Sequence, residues 1–172
     1  MKSSTAAYIG AALFIALMVT FSTLGDRPPS GGQLLLLGVL GVGSHLVLLP
    51  VVSAAGRAAW ARACGYSWIA IDVILNVASV NGMALAAVTP LRLGGHILAA
   101  LWIADAAISA AGIARVVGVV LAVLLAFHAF AAQRVPAWVL FIPFTLIPLW
   151  LVLLGRALPK TPRQPPARTT GL

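Results

Sequence analysis

Residues 65–89 read GYSWIAIDVILNVASVNGMALAAVT. The run is apolar for more than the roughly 20 residues a helix needs to cross a bilayer, which predicts a transmembrane segment over 66–88. Yet Asp72, Asn76 and Asn81 lie within it. The bilayer core offers such groups no partners, so protein must surround them. At helical spacing Asp72, Asn76, Ser79 and Met83 form one stripe, and Asn81 falls on the opposite side. A helix with polar residues on two sides needs neighbours on more than one side, so the other apolar segments are expected to pack around this one.

Composition supports lipid as the solvent. Of the 172 residues, 62% are hydrophobic and only 8% are charged, against about 25% charged in a soluble domain. A water-soluble fold of this size could not hide that much apolar surface. The formal charge of +8 comes from 11 Lys and Arg against three acidic residues. The basic residues are spread between apolar runs and gathered in the C-terminal tail, the pattern of membrane topology signals. No basic patch interleaved with aromatics is present, which argues against nucleic acid as a partner. Cys64 is the single cysteine, so no internal disulfide and no paired-cysteine motif can form. Arg outnumbers Lys, a bias that suggests a GC-rich bacterial genome.

The apolar runs are continuous rather than alternating, so helices are expected and not a barrel. Six transmembrane helices are predicted, at about 6–24, 33–52, 66–88, 93–113, 116–132 and 137–154. The first is read as an uncleaved helix, because its apolar run exceeds a signal-peptide core and its cleavage region is poor. Residues 93–132 are apolar for about twice a span length, so they are divided near Gly112–Arg115. Pro90-Leu91-Arg92 is read as the third loop. Pro143 and Pro148 should kink the last helix, with Trp138 and Trp150 in the aromatic belts at its two ends. The tail 155–172 is Pro-rich and basic and reads as disordered. The predicted fold is therefore all-α: a polytopic six-helix bundle with short loops and a disordered basic tail.

Orientation follows from the basic residues. With six spans, one side receives Lys2, Arg57, Arg62, Arg115, Arg156, Lys160, Arg163 and Arg168, and the other receives Arg27, Arg92 and Arg134. Both termini are then expected in the cytoplasm, in a cell membrane of the bacterial inner-membrane type.

Helical rise sets depth. On the predicted spans His45, Asn76 and Asp105 fall near the midplane. Asp72 lies closer to the cytoplasm, His128 in the outer half and His96 near the outer surface. Gly38 and Gly41 share a face with His45, so His45 is expected to point into protein. Asp105 shares its face with Trp102, Ile108, Ser109 and Gly112. It is expected to face the bundle near His45 or Asn76, since a carboxylate at that depth costs about 2.5–3.5 kcal/mol even on lenient scales.

The candidate intramembrane polar site is thus His45, Asp72, Asn76, Asp105 and His128. These residues can hydrogen-bond helices together or handle a proton or cation. Three histidines at different depths fit bis-histidine haem ligation poorly, and His45 with Asp105 gives too few ligands for a metal. No cofactor is predicted. There is no GxSxG, HExxH or Walker sequence and no glutamate, so nothing points to an enzyme. The leading reading is a small structural or accessory membrane protein. Its partners would be the lipid bilayer and either a second copy or another membrane protein. The alternative is a small transporter or proton- or cation-handling protein using Asp105, His45 and Asn76.

Overall fold

The computed structural model describes residues 1–24, 29–132 and 134–158, with the side chains of residues 85, 137, 138 and 140 excepted. These residues form helices α1 (Ser3–Ser22), α2 (Gly31–Leu46), α3 (Leu49–Ala55), α4 (Ala59–Val80), α5 (Leu85–Ser109), α6 (Gly112–Ala131) and α7 (Ala137–Ala157), with no strand among them. Helices α2 and α3 together make one bent span, Gly31–Ala55. Five spans are long and apolar enough to cross a membrane, and α7 adds a shorter described apolar stretch, Phe141–Ala157. The expected tail beyond residue 158 and the belt position of Trp138 lie outside the described residues.

The helices pack in a closed ring. α1 touches α2, α2 touches α4, and α4, α5, α6 and α7 follow in chain order until α7 returns to α1. After Pro50, α3 turns inward and contacts α1, α4 and α5. Its Val51 and Val52, with Leu48 just before it, are fully buried. Gly155 of α7 meets Ala7 and Tyr8 of α1, so the last helix ends where the first begins. Lys2, Arg57, Arg62, Arg115 and Arg156 therefore belong to the same end of the bundle.

Local sequence explains some of the helix ends. Ser30 and Gln33 start α2 with a reciprocal pair: the Gln33 backbone N–H donates to the Ser30 hydroxyl and the Ser30 N–H to the Gln33 side chain, at 3.4 and 2.8 Å. The α5–α6 connection is Ala110–Ala111, and Arg115 Nε donates to the Ala110 carbonyl at 3.0 Å.

The central segment is shifted from its predicted place. Helix α4 covers Ala59–Val80 instead of 66–88, and α5 begins at Leu85 instead of 93. Asn81 caps the end of α4 and Gly82 follows at φ +88°. The Met83 N–H reaches the Ala78 carbonyl and the Gly82 N–H the Ser79 carbonyl, at 3.0 and 3.1 Å. These are the two bonds that close a helix over a left-handed glycine. Pro90, read as the loop, lies inside α5. At the other end, Arg62 lies in the first turn of α4 and donates to the carbonyls of Gly56 and Arg57, each at 3.0 Å.

One further expectation is corrected by burial. Trp102 is 0% exposed and Trp150 is 1% exposed, so Trp150 belongs to the core and not to an interfacial belt. Their rings continue a column Phe14–His45–Trp68–Trp102–Trp150, with centroid separations of 5.4, 5.1, 5.8 and 5.5 Å in that order. Glycines make room for it: a Cβ at Gly65 would stand 2.9 Å from Trp102, and one at Gly118 would strike the Trp150 indole.

Candidate functional site

The shift of α4 and α5 by about two turns rearranges the polar residues. Asp72 moves to the bundle interior, at 3% exposed. Arg92, predicted at the outer surface, lies inside α5 and reaches it. Arg92 Nε is 3.2 Å from Asp72 Oδ1. Its Nη2 donates to Asn76 Oδ1 at 3.3 Å, and Asn76 Nδ2 donates to the Asp72 carbonyl at 2.8 Å. His45 comes from α2 to the other carboxylate oxygen, with Nε2 3.4 Å from Asp72 Oδ2. The Arg92 contact is an ion pair, and neither Asp72 Oδ2 nor Arg92 Nε has a properly aligned hydrogen bond. The cluster joins α2, α4 and α5.

Glycine makes the His45 side possible. Helix α2 lies so close to α4 at Gly41 that a Cβ there would be 2.7 Å from the Asn76 amide. The Gly41 carbonyl is 2.7 Å from His45 Nδ1 and also accepts the Ser44 hydroxyl at 2.9 Å. A carbonyl oxygen can only accept, so Nδ1 carries a hydrogen. A neutral imidazole has one N–H, so Nε2 would then turn a bare lone pair toward Asp72 Oδ2. That contact is attractive only when a proton lies there, as imidazolium facing carboxylate or as imidazole facing a carboxylic acid. With Arg92 counted, the cluster carries +1 with the proton and zero without it.

Asp105 does not join this cluster. It sits one turn from the end of α5, where Oδ2 accepts the backbone N–H groups of Arg57 and Ala58 at 2.7 and 3.4 Å. Those residues lead into α4, so the carboxylate caps a neighbouring helix and meets the positive end of its dipole. The expected proximity of Asp105 to His45 or Asn76 is therefore corrected. Asn81 likewise leaves the span and becomes a cap, its side chain donating to the Val77 carbonyl at 2.8 Å.

His128 meets His96 instead. Their Nδ1 atoms are 3.1 Å apart, and the ring of Phe144 stands edge-on to both. Both histidines are buried. His96 follows Arg92, the partner of Asp72, by one turn of α5. Sequence reasoning missed Arg92 and His96 as interior residues. The signals were Asn81-Gly82, a stronger helix stop than Pro90, and the four-residue spacing that puts Arg92 and His96 on one face.

No family model matches the chain, and no curated protein or solved structure matches it. Among the described residues no group of three His, Cys, Asp or Glu side chains is placed to hold a metal ion. The chemistry this arrangement offers is the binding and release of a proton beside a fixed guanidinium.

Proposed function

We propose that the chain is a six-span protein of a bacterial inner membrane, with both termini cytoplasmic, that binds and passes a proton at His45–Asp72. Helix α7 has 21 residues, about 30 Å at helical rise, which suits a sixth span. Lys2, Arg57, Arg62, Arg115 and Arg156 share one end of the ring and Arg134 has the other, the bias of a cytoplasmic face.

The observation that carries the proton reading is the double demand on His45: Nδ1 on the Gly41 carbonyl at 2.7 Å and Nε2 on Asp72 at 3.4 Å. Arg92 and Asn76 extend the polar route from Asp72 toward the Asn81 end. In the other direction the rings of Trp68 and Trp102 stand in the way, so release to the cytoplasm requires them to move. This keeps His45, Asp72 and Asn76 from the site expected in the sequence, adds Arg92, leaves His128 to its pairing with His96, and gives Asp105 a structural task.

The test is proton flux into reconstituted vesicles carrying a pH-sensitive dye. Wild-type protein should collapse an imposed gradient, while Asp72→Asn and His45→Gln should not. Asp105→Asn should behave as wild type. A folded Asp72→Asn protein with undiminished flux would sink the reading.

A structural or accessory role is the second reading. It is favoured by the cluster's position, which ties three helices together, and by the cap that Asp105 supplies. In that case a partner would be a second copy or another membrane protein, and wild-type vesicles would carry no proton flux. A tail-fused alkaline phosphatase tests the topology independently, and activity of that fusion would overturn the six-span assignment.

A further inference from the structure

We propose that His96 and His128 form a second proton site of single-proton capacity, coupled in the opposite sense to His45–Asp72. Its place as a second station rests on the proton-handling reading above. The pair itself rests on its own geometry.

The ring centroids are 5.0 Å apart, while the two Nδ1 atoms are 3.1 Å apart. The nitrogens are much closer than the ring centres, so the two Nδ1 positions face each other. Two lone pairs at that distance repel, and two N–H groups collide. One N–H facing one lone pair is the arrangement that fits. The pair therefore holds one hydrogen between its rings. One added proton, carried as an imidazolium facing an imidazole, leaves that hydrogen in place; a second added proton makes both rings cationic and sets N–H against N–H, so the rings must part.

Nearby charge decides when that happens. Arg92 lies one turn from His96 on α5, it holds Asp72 of α4 at 3.2 Å, and Asp72 in turn meets His45 of α2 at 3.4 Å, so these three groups are the charges beside the pair. Helix α7 contributes the uncharged Phe144, and α6 adds Arg115 only at its far end. With a proton on His45–Asp72 the neighbouring cluster is at +1 and opposes an added proton on His96–His128. When that proton leaves, the cluster is neutral and the opposition ends. Occupancy of one station thus favours vacancy of the other, which is the relation two successive stations on one path require.

Full-length protein in detergent, labelled with 15N at histidine, gives a direct test by nuclear magnetic resonance. A nitrogen–nitrogen coupling across the hydrogen bond should join two histidine rings near neutral pH. It should vanish in His96→Gln and in His128→Gln, and in wild type it should vanish on acidification. Coulomb's law gives the direction of change in the variants. Asp72→Asn removes a negative neighbour, so the acid loss should move to lower pH. Arg92→Gln removes a positive one, so it should move to higher pH. Absence of the coupling in folded wild-type protein would overturn the shared proton. An acid loss unmoved in both variants would overturn the coupling between stations. If the coupling is present but vesicles carry no flux, the transport reading fails while the pair stands. If flux persists without the coupling, the pair fails alone.

Discussion

Asn76 lies against Gly41 so closely that a methyl group on Gly41 would meet the carbon, nitrogen and oxygen of its amide, each at 2.7 Å. The same asparagine accepts Arg92, so helix contact and charge placement depend on one missing side chain.

Gly41→Ala should therefore be harmful although alanine is the better helix former. Asn76 must move and α2 must separate from α4, at a cost of about 1–3 kcal/mol for overpacking. Thermal unfolding in detergent should show a clear fall in midpoint. Gly94→Ala is the control, because a Cβ there meets nothing within 4 Å.

Asp72 and Arg92 should show strong coupling. Asp72→Leu leaves Arg92 without its counter-charge. Removing one partner of a fully buried pair costs about 3–5 kcal/mol. The Arg92 side chain is 33% exposed, and solvent lowers the figure here to about 2–3 kcal/mol. Arg92→Leu added to Asp72→Leu should recover much of the loss. A double-mutant cycle measures it, and additive losses would contradict the pairing.

Asp105 should matter for stability and not for flux. Asp105→Ala removes the acceptor for the Arg57 and Ala58 N–H groups and should cost about 0.5–2 kcal/mol, the range for a lost helix cap. Asp105→Asn keeps an acceptor oxygen and should cost less. Vesicle flux per folded molecule should be unchanged in both.

The tryptophan column should act by volume. Trp102→Ala empties a fully buried site and should cost about 3–5 kcal/mol. Trp102→Phe should cost distinctly less, since the Trp102 indole N–H has no partner to lose among the described residues. Equal losses in unfolding experiments would mean that the N–H carries the effect.

The class of fold was legible because apolar composition and run length are direct measures of the solvent a chain needs. Gly38 and Gly41 on the face of His45 also marked a buried contact, and His45 is 6% exposed. The polar cluster was less legible. Both Asn81-Gly82 and Pro90 can interrupt a helix, and membrane helices tolerate proline where neighbours compensate. Choosing Pro90 displaced α4 and the start of α5 by about two turns. That kept Arg92 at the surface and separated Asp72 from its partner. Helical rise alone places Asp105 near the midplane, but depth along a helix says nothing of the backbone of the next corner, which is what its carboxylate meets. The His96–His128 contact needs the rotation of two helices, and no single-segment pattern contains it.

The ring order has a consequence for synthesis. Each span packs beside the one made just before it, so the growing bundle can add its helices one at a time as they leave the ribosome. One boundary is different. The seam between α1 and α7, where Gly155 meets Ala7 and Tyr8, joins two helices that are separated by all the others in synthesis. Until α7 arrives, α1 has an unsealed flank, and the nascent bundle remains an open crescent that closes only when α7 enters.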